Sequence, residues 1–193
     1  KLSEGNVGTI LKRSSNIGAS KIAFLLGAPK LEEYLRKFGF GAPTRSGFPG
    51  EPKGILRPAD QWVPVELADG IAPCTAPKNA NVSFGQGMAA TGIQLAMALG
   101  AIANDGRLMQ PLLVKRVLDG HGKVIEEWQP TELRQVVSPE TARTVLDLMQ
   151  GVVEPDGTGR RAYIPEWPVA GKTGTGQKPH LRRRGYSEEM WVN

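Results

Sequence analysis

Two short runs of residues carry groups that could act together on a carbonyl. Ser14-Ser15-Asn16 offers hydroxyls and a carboxamide just ahead of an apolar, helix-like stretch. Lys172-Thr173-Gly174-Thr175 offers a cation, two hydroxyls and a backbone that Gly174 leaves open to close approach. The second run suits an extended peptide ending in a carboxylate. Strand pairing would hold the chain and the charge would hold its end. An ordinary exposed strand running into a turn fits the same four residues. The first run has an equally plain alternative, in which Asn16 is only the N-cap of the helix that follows. Taken together, the two runs supply half of an acyl-transfer site. A Ser hydroxyl and an Asn carboxamide can relay a proton and bind a peptide amide, and the Lys-Thr-Gly-Thr edge can bind the adjoining carboxylate.

Other chemistries fit less well. Gly171-Lys172-Thr173 looks like the end of a phosphate-binding loop, but Glu166 stands where that motif needs its first glycine. Cys74 is the only cysteine, and His121 and His180 are the only histidines. An intrachain disulfide and a zinc cluster built from several cysteines are therefore excluded, while acyl transfer through an acyl-enzyme implies no metal or organic cofactor. Lys plus Arg number 24 against 19 Asp plus Glu, a net charge of +5. That excess suits a carboxylate-bearing partner and does not argue for nucleic acid. The longest apolar stretches, 22–26 and 95–103, fall far short of the ~20 residues that span a bilayer.

The elements that must position these groups can be read along the 193 residues, enough for one domain. Four helices are expected. One covers 17–26, apolar on most sides and so largely buried. A second covers 30–38, with Leu31, Tyr34, Leu35 and Phe38 on one face and Gly39 as its stop. A third opens on the capping box Thr91-Gly92-Ile93-Gln94 and reaches Ala103. The fourth opens on Ser138-Pro139-Glu140, buries Ala142, Val145, Leu146 and Met149, and ends at Gly151. Strands at 113–118 and 123–128 flank a turn at Asp119-Gly120-His121-Gly122. A last strand is expected over 168–175. Helices first and strands late favour an α+β fold. Phe84-Gly85-Gln86-Gly87 reads as a backbone turn, Glu51 as a structural loop residue, and Trp128, Trp167 and Trp191 as packing residues. Arg182-Arg183-Arg184 reads as a solvated charge run, and nothing beside Cys74 suggests a reactive thiol.

The S-x-N and K-[T/S]-G pair resembles the signature of penicillin-binding proteins and serine β-lactamases. The likeness extends to residues 13–23 (RSSNIGASKIA), 38–54 (FGFGAPTRSGFPGEPKG), 82–111 (VSFGQGMAATGIQLAMALGAIANDGRLMQP) and 169–175 (VAGKTGT). In order and spacing these are similar to class B penicillin-binding proteins, the monofunctional peptidoglycan transpeptidases, with the cell-division type nearest in character. The resemblance implies an antiparallel sheet with a helical subdomain, of which residues 1–193 form part of one transpeptidase domain. It implies D-Ala-D-Ala transpeptidation, with a peptidoglycan stem peptide and β-lactam antibiotics as ligands and division or elongation membrane proteins as partners. It also implies a site on the periplasmic side of the bacterial inner membrane.

By the same resemblance, Ser14 would relay a proton between nucleophile and leaving amine. Asn16 would bind the acyl-donor peptide, and Lys172 would supply positive potential near the donor's terminal carboxylate. Thr173 and Thr175 would offer hydroxyls to that carboxylate beside Gly174. The Thr175 N–H would be one oxyanion donor, a contribution of roughly 3–4 kcal/mol in comparable sites. One part of the pattern is missing. The family's nucleophile lies in an S-x-x-K motif upstream, and no Ser here is followed three residues later by Lys. The expectation is a chain that starts after that motif and stops before the last strands. The alternative is a parent that has lost its nucleophile and binds peptidoglycan as a scaffold or sensor.

Overall fold

The computed structural model describes residues 5–62, 81–174, 176–179 and 186–192, the last two for their backbone apart from Gly176. The order is α1 (Val7–Lys12), α2 (Asn16–Leu26), α3 (Ala28–Lys37), a 3-10 turn (Ala59–Gln61) and α4 (Gly92–Ala103). Then come β1 (Arg107–Met109), β2 (Arg116–Leu118), β3 (Val124–Glu127), β4 (Glu132–Gln135) and α5 (Pro139–Val153). A 3-10 turn (Arg160–Ala162), β5 (Gly176–Pro179) and β6 (Tyr186–Val192) complete it. The class is α+β. Its described strands pair antiparallel as three two-stranded ribbons, β1–β4, β2–β3 and β5–β6.

Local chemistry sets most helix ends. The Thr91 hydroxyl accepts from the Gln94 N–H at 3.2 Å, and the Gln94 side chain accepts from the Thr91 N–H at 2.9 Å, closing the expected capping box. Ser138 caps α5 by accepting from the Thr141 N–H at 3.2 Å, with Pro139 at the first helical position. Helix α5 runs past Gly151 to Val153, because a glycine inside a helix weakens it without ending it when Val152 and Val153 are both buried. The hairpin forms as expected, with Gly122 at φ +82° and its N–H bonded to the Asp119 carbonyl at 3.0 Å.

Two expectations of burial fail. Helix α2 is apolar all round, yet Ile17 is 74% and Leu25 90% exposed. The described elements packed most closely on it are α1 and α3. Among the tryptophans expected to pack, Trp167 is 71% exposed, at the Ile164–Trp167 bridge, and Trp128 is 38% exposed, while the side chain of Trp191 lies outside the described residues. The core gathers instead where α4 meets β1 and β4. Leu108 is completely buried with Ala101 and Val136, and Phe38, Met97 and Leu133 pack around them.

Gln94 ties this core to the loop 39–54. Its carboxamide, 0% exposed, donates to the Ala42 carbonyl at 2.8 Å and the Lys53 carbonyl at 3.0 Å while accepting from Thr91. Gly54, at φ +68°, passes so near that a Cβ there would lie 2.4 Å from the Ala89 carbonyl oxygen. Glu51 organises the far end of the loop, as expected of a structural residue. It accepts from the Thr44 N–H at 2.9 Å, from the Thr44 hydroxyl, and from the Ser46 hydroxyl at 3.1 Å. Those donors hold its carboxyl below the usual range. Gln94→Leu keeps the size and removes the donor from the Ala42 and Lys53 carbonyls and the acceptor from the Thr91 N–H. It should lower unfolding free energy by about 2–4 kcal/mol in urea titrations, and a change within experimental error would contradict the role given to Gln94.

Candidate active site

The chain turns from α1 into α2 within three residues, Arg13, Ser14 and Ser15. Ser14 sits at φ +52°, in the left-handed region. The Ser15 N–H bonds the Ile10 carbonyl at 3.0 Å and the Ser14 N–H bonds the Leu11 carbonyl at 3.1 Å. This is a Schellman cap with serine at the position usually given to glycine. Ser15, not Asn16, is the N-cap of α2, accepting from the Gly18 N–H at 3.1 Å. Asn16 is the first helical residue, because the αL turn at Ser14 has already redirected the chain by Ser15. Its carboxamide is thereby spared from capping. Gly18 lets α2 cross close to α1, since a Cβ there would meet Ile10 at 2.6 Å.

Helix α1 lies on α5, where Gly8 leaves room for Leu148. The Lys12 ammonium reaches Glu154 at 2.6 Å and Asp156 at 2.7 Å. Arg13 donates to the Asp156 carbonyl at 3.0 Å. These bonds hold Lys12 above its ordinary pKa and Asp156 below its own. The end of α1 is so fixed beside the segment that leaves α5.

That docking brings the two motifs together. The Lys172 ammonium donates to the Ser14 hydroxyl at 2.7 Å across 158 residues, and to the Thr173 carbonyl at 2.9 Å. Ser14, Asn16, Lys172, Thr173 and Gly174 line one cleft of about 830 Å³. Thr175 lies outside the described residues, as do Cys74, His180 and Arg182-Arg183-Arg184. The segment before Thr175 is not the strand expected over 168–175. Among the described residues its backbone makes one bond to other backbone, from the Gly171 N–H to the Met149 carbonyl of α5 at 3.3 Å, and pairing begins only at Gly176. No described strand pairs with 168–174, so no ladder forms there.

Sequence reasoning gave 84–87 only a backbone role and did not single out Asn81. Asn81, Phe84 and Gln86 also line the cleft. The turn expected at 84–87 is present, with Gly85 at φ +88° and Gly87 at φ +77°. A turn whose glycines alternate with Phe84 and Gln86 was the available signal. It turns the backbone and walls the cleft at once.

The electrostatics single out Lys172. Among the described residues no carboxylate lies within ion-pair distance of it, whereas Lys12 has two. Although Lys172 is exposed as a residue, its ammonium sits against Ser14 and Thr173, and partial burial pushes its pKa below the ordinary value. Between that lowered pKa and the unfolded one, the native state binds fewer protons than the unfolded chain. The stability cost at Lys172 is therefore full at lower pH and fades as pH rises through that window. Among the described residues the cleft's cation has no counter-ion, which is what a carboxylate ligand supplies. Ser14 and Asn16 line the same cleft as that cation.

Ser14 also permits a clean separation of backbone from side chain. Ser14→Ala and Ser14→Gly both remove the hydroxyl, but only glycine relieves the left-handed turn. The glycine variant should be the more stable by about 1 kcal/mol in urea unfolding. Equal stabilities would mean that φ +52° carries no strain.

The penicillin binding protein transpeptidase domain matches residues 2–192. Penicillin-binding protein PbpB of Mycolicibacterium smegmatis is 37% identical over 190 residues, which cover 95% of this chain and 27% of that protein. Stage V sporulation protein D of Bacillus subtilis is 35% identical over 170 residues, covering 88% and 24%. The chain thus spans about a quarter of the length of these relatives. Among solved structures, penicillin binding protein 3 of Mycobacterium tuberculosis in complex with ampicillin superposes with TM-score 0.83 at 33% identity. It matches over 96% of this chain and 40% of its own. The transpeptidase domain of penicillin-binding protein 3 of Burkholderia pseudomallei gives 0.76 at 34%, over 96% and 49%. With the motif pair converging on one cleft and the match running nearly end to end, this chain belongs to the penicillin-binding protein transpeptidase family, class B.

Proposed function

We propose that the protein is a peptidoglycan D,D-transpeptidase working by serine acyl transfer, and that these residues form one wall of its site. The observation that carries this reading is the 2.7 Å hydrogen bond from Lys172 to Ser14 in a cleft also lined by Asn16, Thr173 and Gly174. Relatives named as probable peptidoglycan D,D-transpeptidases, such as PenA of Neisseria meningitidis at 34% identity, support it.

The donor is a stem peptide ending in D-Ala-D-Ala. A nucleophilic serine, which with its S-x-x-K lysine lies outside these 193 residues, attacks the penultimate D-Ala carbonyl. A C–O bond forms, the C–N bond breaks, and the terminal D-Ala leaves as an amine. Ser14 passes the proton from the nucleophile to that amine. An acceptor amine on a neighbouring strand then attacks the acyl-enzyme and restores the serine. Lys172 holds the donor's terminal carboxylate and lends Ser14 its positive field, while Asn16 binds the donor amide. Thr173 and Thr175 hydroxyls meet the carboxylate, and the Thr175 N–H serves the oxyanion. β-Lactams acylate the same serine, in keeping with the ampicillin and aztreonam complexes of the tuberculosis relative. The protein acts on the periplasmic side of the inner membrane with division or elongation proteins as partners.

In the full-length protein, Lys172→Ala should lower the rate of acylation by a fluorescent penicillin about 100-fold, by analogy with loss of one transition-state contact. Asn16→Ala should have the next largest effect. The 193-residue chain by itself should not be labelled. A Lys172→Ala protein acylated at the normal rate would contradict the assignment. A full-length protein that binds peptidoglycan but is never acylated would support the scaffold in place of the enzyme.

A further inference from the structure

Thr158 belongs to neither signature motif, yet it is hydrogen-bonded to both halves of the site. Its hydroxyl lies 3.2 Å from the Lys12 carbonyl at the end of α1 and 3.0 Å from the Thr173 hydroxyl. Its N–H also reaches the Lys12 carbonyl, at 3.3 Å. The backbone that carries it is held on both sides. The Gly157 N–H bonds the Glu154 carbonyl at 2.8 Å and the Gly159 N–H bonds the Val152 carbonyl at 2.8 Å. Gly157 is pressed so tightly that a Cβ there would lie 2.1 Å from the Val152 carbonyl oxygen. Thr158 therefore projects from a pinned loop toward Thr173.

Counting protons shows what this contact decides. A hydroxyl donates once. If Thr158 donates to the Lys12 carbonyl, then Thr173 must donate to Thr158, and the Thr173 hydroxyl faces the cleft only with lone pairs. A carboxylate offers lone pairs as well and would be repelled. If Thr158 instead donates to Thr173, the Thr173 proton is free to point into the cleft. The Lys12 carbonyl keeps the Thr158 N–H in either arrangement, so the second costs no orphaned acceptor.

We propose that Thr158 is a positioning residue for carboxylate recognition. It holds the Thr173 oxygen as a hydrogen-bond acceptor, and so aims the Thr173 proton at the terminal carboxylate of the ligand. A chain running from Thr158 through Thr173 to an anion is polarised in one direction, and each bond strengthens the next. The proposal rests on the transpeptidase reading above, in which Thr173 meets that carboxylate.

The test compares acylation of the full-length protein by a penicillin with its free carboxylate and by the methyl ester of the same penicillin. Thr158→Val keeps the shape and the N–H bond to Lys12 but removes the hydroxyl. It should reduce the preference for the free carboxylate three- to tenfold, the size expected for one neutral hydrogen bond, and leave the rate with the ester nearly unchanged. Thr158→Ser should restore the preference. Equal losses with acid and ester, or an unchanged ratio, would overturn the proposal, since a merely structural residue would treat the two ligands alike. A wild-type protein acylated by neither ligand would overturn the transpeptidase reading itself. A Thr158→Val protein that fails to fold is replaced by Thr173→Val, which should lose the same preference whether residue 158 is Thr or Ser; a preference that survives it also overturns the proposal.

Discussion

The site depends on helix α1 being anchored across α5. Ser14 and Lys172 are 158 residues apart, and nothing local brings them to 2.7 Å. The Lys12 ammonium clamped by Glu154 and Asp156, with Arg13 on the Asp156 carbonyl, fixes the end of α1. The Schellman turn then delivers Ser14 at that fixed end, and the loop after α5 delivers Thr158 to the Lys12 carbonyl and to Thr173. Exposed ion pairs of this kind contribute little each to stability. Their importance here is geometric, because several weak bonds converge on one helix end and leave it a single register.

Two lysines near this junction divide the labour. Lys12 is saturated by carboxylates and is raised in pKa, so it remains a structural cation. Lys172 has hydroxyl and carbonyl acceptors and is lowered by burial. A cation kept short of counter-charge is a cost to the fold and an asset to a site that must attract an anion. The wall at 81–86 is shaped by other means. Gly85 and Gly87 turn the backbone that carries Phe84 and Gln86, which line the cleft.

Much of this was legible in the residues and some was not. Capping chemistry acts over three or four residues, so Thr91 with Gln94, and Ser138 with Pro139, marked their helices before any tertiary contact was known. The Asp119–Gly122 turn is equally local. The Schellman cap was hidden because serine, not glycine, occupies its left-handed position. Helix α1 is six residues long and β1 three, too short for a period to register. The exposure of α2 was misjudged because an apolar helix states only that it can be buried. Convergence of Ser14 with Lys172 was suggested by family resemblance, while Thr158 had only its glycine neighbours to mark it.

In the proposed site Lys172 is a partly desolvated cation shared between Ser14 and an incoming carboxylate. Its Nζ titration, followed by NMR in full-length protein labelled with ¹⁵N-lysine and assigned through Lys172→Arg, tests this most directly. The predicted result is a pKa below that of a free lysine in the empty site, rising when a peptide ending in D-Ala-D-Ala is added. A Lys172 that titrates like a solvent lysine, indifferent to the peptide, would contradict the account.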